Sequence, residues 1–353
     1  MSKNITVKKG GNPFGSHRVI EPKGALPQPA LKVDNNMDYI YDNEIMIDVE
    51  TLNIDSASFT QIKEATNRDE AKIKEMILKI VGERGKMQNP VTGSGGMFIG
   101  RVAKIGPKLE GKINLKVGDK VASLVSLSLT PLKIEKILGI KKGTEQVNVK
   151  AKAVLFQSGI YAKLPKDMPE TLALAVLDVA GAPAQTAKLV KPGDTVVIIG
   201  AAGKSGVLCS YEAKRRAGVS GKIIGTTSSD NGYKNMKEYG FCDVNLKLSA
   251  TNALECYDTI YKETGGKLAD VIINCVNIPN TEMASILMCR DNGVVYFFTM
   301  ATSFTKAALG AEGVGKDVNM IIGNGYTKDH ADITLNILRE SPKIRKIYEK
   351  IYA

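Results

Sequence analysis

Apolar and polar positions follow two different rhythms along this chain, and the change falls near residue 163. Before it, short strands and turns prevail. Glu44-Ile-Met-Ile-Asp-Val-Glu50 alternates with the period of two that turns one strand face inward, and residues 97–105 form a second strand-like run. Between them Ile73, Met76, Ile77, Ile80 and Val81 stand at i, i+3, i+4, i+7 and i+8. That stripe predicts a core-facing helix over 68–82, closed by Gly82 and followed by Gly85 and Pro90. Beyond 163 strands alternate with helices, at 195–199, 222–226, 271–275 and 294–298, the signature of a parallel sheet covered on both faces. A Gly- and Ala-rich connection follows Phe298 as far as Gly325. Residues 332–353 read as a helical tail carrying Ile333, Leu335, Ile337 and Leu338.

A length of 353 residues makes two domains the expectation, and an apolar share of 43% with 24% charged residues describes a globular chain. No run approaches the ~20 apolar residues that span a bilayer. The opening Met-Ser-Lys-Asn-Ile-Thr lacks the apolar core of a secretory signal, so a cytoplasmic protein without a membrane partner is expected. The net charge of +11 raises the question of nucleic acid, but Lys104, Lys108, Lys112, Lys116 and Lys120 are spaced along loops and form no block. They read as a solvated surface that attracts small anions. The five cysteines are odd in number and lack C-x-x-C spacing, which predicts reduced, mostly buried thiols.

The most specific local signal is Lys191-Pro-Gly-Asp-Thr-Val-Val-Ile-Ile-Gly-Ala-Ala-Gly-Lys-Ser-Gly206, a turn, a buried strand and a glycine-spaced helix start. Gly200 permits a tight turn, Gly203 lets a pyrophosphate approach backbone N–H groups, and Gly206 allows close helix–strand packing. Ala202, Lys204 and Ser205 share that turn, which opens an amphipathic helix over 205–216. A dinucleotide site of this kind places an acid near the end of the second strand to bond the ribose 2′-OH. Here the strand ends Gly225-Thr226-Thr227-Ser228-Ser229, with Asp230 late and Lys234 beyond. Hydroxyls and a lysine accept a 2′-phosphate, so the local chemistry leans towards NADP, while Asp230 leaves NAD open. Asn274, Cys275 and Thr299, after the later strands, are expected to complete the cofactor contacts.

The arrangement resembles the medium-chain dehydrogenase/reductase family. Gly95-Gly-Met-Phe-Ile-Gly-Arg-Val102 is similar to its G-H-E-x-x-G-x-V, Val117-Gly-Asp-Lys-Val121 to its K-x-G-D-x-V turn, and residues 200–206 to its cofactor motif. The resemblance implies a GroES-like, mostly β catalytic domain over 1–162, a Rossmann domain over 163–325, and a tail, 326–353, that returns to the catalytic domain. Where zinc-dependent members have His and Glu, this chain has Gly96 and Met97. Their catalytic cysteine falls at Asp55 in Val49-Glu-Thr-Leu-Asn-Ile-Asp55, and His17 and His330 lack ligand spacing. No zinc is therefore expected. Together with the segment from Pro13 to Leu31, these departures resemble a zinc-independent branch that oxidatively deaminates a 3,5-diamino acid to its 5-amino-3-oxo acid in lysine fermentation. NAD or NADP as cofactor, a diamino acid as partner and a homodimeric assembly are the matching expectations.

Oxidising an amine needs a group that removes a proton before hydride leaves. Asp55 is the candidate base, or else a strand-end cap acid. Asp178, in Leu174-Ala-Val-Leu-Asp-Val-Ala180, stands in an apolar run and is the candidate partner for the second ammonium, or else a helix residue bonding local backbone. Arg18, beside His17, is the candidate for the substrate carboxylate because guanidinium binds it bidentately. Asn53 and Ser58 are candidates for further polar contacts or for core packing. An NADP-dependent quinone or enoyl reductase and a non-catalytic cofactor-binding protein remain as alternatives.

Overall fold

The computed structural model describes residues 5–141, 146–299, 301–323 and 325–352. It divides into two compact units, 1–166 and 167–353, just beyond the change of rhythm in the sequence.

The first unit contains β1 (Thr6–Lys8), β2 (Val19–Glu21), β3 (Lys32–Val33), β4 (Tyr39–Tyr41), β5 (Glu44–Asn53), α1 (Ser56–Ala65), α2 (Glu70–Arg84), β6 (Met97–Ile105), β7 (Lys120–Ser123), β8 (Leu132–Ile140), β9 (Gln146–Phe156) and β10 (Tyr161–Lys163). Six strands form one antiparallel sheet in the order β10-β7-β6-β5-β9-β8. The helical stripe meets it: Ile73, Ile77, Ile80 and Val81 of α2 share a core with Ile45, Ile47 and Val49 of β5. Asp69 caps α2 by accepting from the Lys72 N–H. The helix runs past Gly82 and stops at Gly85, the left-handed residue (φ 70°) whose place beside the Val33 carbonyl leaves no room for a side chain.

The second unit contains α3 (Glu170–Leu177), α4 (Gly181–Leu189), β11 (Thr195–Ile199), α5 (Lys204–Ala217), β12 (Lys222–Thr227), α6 (Asp230–Tyr239), β13 (Val244–Lys247), α7 (Ala253–Glu263), β14 (Ala269–Asn274), α8 (Glu282–Leu287), β15 (Cys289–Phe297), α9 (Phe304–Gly313), β16 (Asn319–Ile322), α10 (His330–Glu340) and α11 (Pro342–Tyr352). Its sheet is parallel throughout, in the order β13-β12-β11-β14-β15-β16. Counted from β11 that is 3-2-1-4-5-6, the Rossmann order, with its crevice where the order reverses between β11 and β14. Val197 and Ile199 pack into one core and Val196 and Ile198 into the other, so both faces of β11 are covered and its apolar run is unbroken.

Three expectations differ. The connection after Phe298 folds into α9 and the short edge strand β16, and the tail is two helices, broken where Pro342 opens α11. The tail is also part of the second unit, where a return to the catalytic domain was expected. Its apolar face covers α3, whose residues 172–177 are all buried: α10 packs on α3, α4 and α5, and α11 on α3. Among the described residues no helix is long and apolar enough to cross a membrane.

Candidate active site

The glycine turn between β11 and α5 has the geometry of an anion cradle. Gly200 takes φ 81°, which only glycine adopts without strain, and a side chain there would strike Val276. Gly206 lies so close to the preceding turn that a Cβ would stand 2.0 Å from the Gly200 carbonyl oxygen. Gly203 caps α5, is exposed, and would bring a Cβ no nearer than 3.3 Å to any atom, so the approach to it is open. The first intrahelical bond of α5 runs from Val207 N–H to the Gly203 carbonyl. The Ser205 and Gly206 N–H groups thus have no helical acceptor, and a phosphate can take them. Ala202 is half-buried beside them and Ser205 is buried. The residues present fit a dinucleotide pyrophosphate.

A small cleft at the carboxyl ends of β11, β12 and β13 continues this turn. Gly200, Thr226, Thr227 and Ser228, the expected cofactor residues of this region, line it. So do Ser249 and Thr251 after β13 and Ile278 after β14, which the sequence reading missed. The strand order was the signal for them, since loops after those strands border the crevice. Ser229 is committed elsewhere: its hydroxyl accepts from Gly232 N–H at 3.0 Å and caps α6, on which Lys234 is exposed. Asp230 pairs with Lys247 at 2.6 Å.

Three expected cofactor residues have their side chains engaged within the protein. Asn274 is fully buried, donating to the hydroxyls of Thr281 (2.9 Å) and Ser285 (3.0 Å) and accepting from Val276 N–H (3.2 Å), so its amide is spent joining β14 to α8. Thr299 is buried and donates to Asn277 at 3.1 Å. The Cys275 thiol lies 3.9 Å from that of Cys209 on α5, where burial first, and the neighbouring thiol second, push the Cys209 pKa well up. Asp178, expected to meet a substrate ammonium, has a partner within the chain as well. It is the exposed C-cap of α3, and its carboxylate is held by Lys204 Nζ at 2.7 Å. Its position at the helix end explains how an acid follows six buried apolar residues, and Lys204, expected on the cofactor, is its partner.

In the first unit Asp55 is the N-cap of α1. Its Oδ1 accepts from Ser58 N–H at 2.9 Å, while Oδ2 is buried and has no hydrogen-bond partner among the described residues. The Ser58 hydroxyl is 2.6 Å from that of Thr92 and 2.9 Å from that of Ser94, which are 3.2 Å from each other. The turn carrying Thr92 and Ser94 is docked on α1 by Asn89, whose side chain donates to Ser58 O (3.3 Å) and Gln61 Oε1 (2.7 Å) and accepts from Val91 N–H (2.8 Å). Gly96 (φ 105°) lets this loop press against the end of β5, where a Cβ would stand 2.1 Å from Asn53 O and 2.7 Å from Asp55 N. Asn53 itself is half-buried and ends β5, in register with Met97 and Gln146. Thr92 and Ser94 lie in Pro90-Val-Thr-Gly-Ser94, which reads in sequence as turn punctuation only. Among the described residues no three His, Cys, Asp or Glu side chains are grouped to hold a metal ion.

Arg18, expected on the substrate carboxylate, is instead bound within the chain. It is fully buried and bonds Glu44 bidentately, Nε to Oε1 at 2.7 Å and Nη2 to Oε2 at 2.6 Å, with its other hydrogens on the carbonyls of Asp34, Asn36 and Tyr39. His17 accepts from Asn12 N–H on Nδ1 (2.8 Å) and so donates from Nε2 to Glu44 (2.8 Å). The carboxylate that these two residues bind belongs to the chain itself.

Comparison with known proteins adds to this geometry. Residues 17–165 match the family described as L-erythro-3,5-diaminohexanoate dehydrogenase N-terminal domain. The chain is 64% identical over 342 residues to the L-erythro-3,5-diaminohexanoate dehydrogenase of Acetoanaerobium sticklandii, covering 97% of this chain and 99% of that one. It is 59% identical over 344 residues to the enzyme of that name from Fusobacterium nucleatum subsp. nucleatum, covering 98% and 99%. Among solved structures it resembles a quinone oxidoreductase of Pseudomonas syringae (TM-score 0.52, 17% identity, 86% of this chain and 81% of that one). It also resembles the Escherichia coli quinone oxidoreductase complexed with NADPH (TM-score 0.51, 16% identity, 88% and 80%). At those identities the likeness shows the fold, a GroES-like unit followed by a Rossmann unit.

Proposed function

The chain belongs to the L-erythro-3,5-diaminohexanoate dehydrogenase family, and we propose from this that it oxidatively deaminates L-erythro-3,5-diaminohexanoate to 5-amino-3-oxohexanoate with Asp55 as the base. When bound, NAD(P)+ supplies the carbon that accepts the hydride. Gly203 and the first turn of α5 would hold its pyrophosphate, and Thr227 and Ser228 its ribose.

The observation that carries the role of Asp55 is the division of labour between its two oxygens. Oδ1 is spent on the Ser58 N–H, and Oδ2 has no partner among the described residues. A buried acceptor in that state calls for a donor, and the reacting ammonium is one. Oδ2 takes its proton, the amine becomes a hydride donor, and water hydrolyses the imine that results. The hydroxyls of Ser58, Thr92 and Ser94 suit the same guest. At their mutual distances each can give its hydrogen to the next, so what remains for a ligand is oxygen lone pairs, the complement of an alkylammonium and not of a carboxylate.

Zinc takes no part in this reading, because Asp55, Gly96 and Met97 stand where zinc-dependent dehydrogenases of this fold carry ligands. It includes a cytoplasmic homodimer. Five unpaired cysteines suit a reducing compartment, and β16 leaves a sheet edge open to a second copy.

Turnover of 3,5-diaminohexanoate by purified protein, set against quinones and enoyl esters, tests the reaction, and the absence of diamine turnover would overturn it. Asp55→Asn tests the base. The amide keeps the cap on Ser58 N–H but cannot take the proton, so kcat/KM should fall by about 10²–10⁴, with cofactor affinity and thermal stability near wild type. Wild-type kcat/KM in that variant would make Asp55 a cap acid and nothing more.

A further inference from the structure

The glycine turn proposed to meet the cofactor is tied to β12 by the Gly200 and Ala201 N–H groups, both on the Thr226 carbonyl, and the helix start that follows it needs support of its own. Glycines at 200, 203 and 206 give it wide conformational freedom, and the first turn of α5 lacks the hydrogen bonds that steady a helix interior. Two elements from elsewhere in the unit converge on the residue after Gly203. Tyr348 of α11, 1% exposed, donates its hydroxyl hydrogen to the Lys204 carbonyl. Asp178, the C-cap of α3, holds the Lys204 ammonium at 2.7 Å. Helices α11 and α3 pack on each other, so the two grips share one support.

We propose that Tyr348 and Asp178 clamp Lys204 and thereby hold the first turn of α5 in its pyrophosphate-binding form, which makes Tyr348 a positioning residue for cofactor affinity. The inference rests on the nicotinamide cofactor of the preceding reading. Binding to a turn that is already ordered avoids the entropy of ordering it, and the clamp supplies that order. Its loss therefore raises the cofactor dissociation constant and leaves the chemistry of the loaded enzyme alone. Lys204 neutralises an acid of its own chain in this arrangement, so its charge serves the turn first.

The test is Tyr348→Phe in the full chain, which keeps the buried ring and removes only the hydroxyl. NADH and NADPH dissociation constants are measured by fluorescence titration without diamine, beside kcat at saturating cofactor and the melting temperature. The expected result is a three- to tenfold weaker cofactor, kcat within twofold and the melting temperature within about 2 °C of wild type. Asp178→Asn, at an exposed site that does not endanger folding, should weaken the cofactor about twofold with the same split. Lys346→Ala, on the exposed side of α11, should leave it unchanged. A wild-type dissociation constant in Tyr348→Phe overturns the clamp, as does a loss of affinity that only parallels losses of stability and kcat. Should Tyr348→Phe fail to fold, an unchanged constant in Asp178→Asn overturns it. Failure of the wild-type protein to bind either nucleotide would instead sink the cofactor reading itself.

Discussion

Replacing Glu44 by glutamine should destabilise the first unit by about 3–5 kcal/mol, the cost of breaking a buried ion pair by removing one partner. Glu44 and Arg18 are both fully buried. The carboxylate accepts four hydrogen bonds: from Arg18 Nε and His17 Nε2 on Oε1 (2.7 and 2.8 Å) and from Arg18 Nη2 and Tyr41 N–H on Oε2 (2.6 and 2.8 Å). A glutamine has one such oxygen, and its NH2 would face guanidinium or backbone donors while the arginine charge stays in the interior. Urea unfolding, followed with a probe in the first unit, measures the loss. The pH dependence gives a second check. Burial pushes the Glu44 carboxyl up, but hydrogen bonds from His17 and Arg18 outweigh it and hold the group below the usual glutamate range. A depressed folded-state value means that the contribution is fully present above the unfolded value of about 4.3 and is lost as pH falls through the folded one. The gap between wild type and Glu44→Gln should therefore narrow below about pH 4. A variant within 1 kcal/mol of wild type at neutral pH would refute the structural role of this pair. Retained stability in Arg18→Met together with a raised KM for the diamine would restore Arg18 as a substrate ligand.

Four shorter predictions accompany it. Gly203→Leu should fold and lose cofactor affinity at least tenfold in a nucleotide titration, since only its side chain would fill the open approach. Gly206→Ala should instead lower stability by about 1–3 kcal/mol, because its Cβ would overlap the Gly200 carbonyl; a melting curve separates the two. Both NAD+ and NADP+ should be accepted, with kcat/KM differing by less than roughly a thousandfold, or about 4 kcal/mol. Lys86 is fully buried, and burial, with Arg84 adding to it, lowers its pKa to about 8. The unfolded chain then binds more protons between about pH 8 and 10.4, so stability should gain from this group as pH rises through that window, and Lys86→Met should abolish that slope in urea titrations.

Much of the fold was legible because it depends on local pattern. The stripe of α2, the run of β6 and the unbroken apolar strand β11 each state a periodicity that one stretch of chain carries alone. The glycine turn was equally legible, since Gly200 is demanded by its backbone conformation and Gly206 by close approach, at a fixed spacing from the open position of Gly203. Asp55 entered as a candidate only through its place in a family motif, and the hydroxyls of Thr92 and Ser94 that gather on Ser58 carried no signal in the sequence. Nothing in a turn sequence says which helix it will dock against. The partnerships of charged groups were decided by tertiary structure. Arg18 and Glu44 are 26 residues apart, Asp178 and Lys204 likewise 26, and Tyr348 meets Lys204 across 144 residues. Sequence shows that an arginine can grip a carboxylate, but a charge takes whichever partner the packed fold brings within hydrogen-bonding distance as water is removed. For Arg18 and Asp178 that partner lay within the protein, and for Asp55 the fold left one oxygen without any among the described residues.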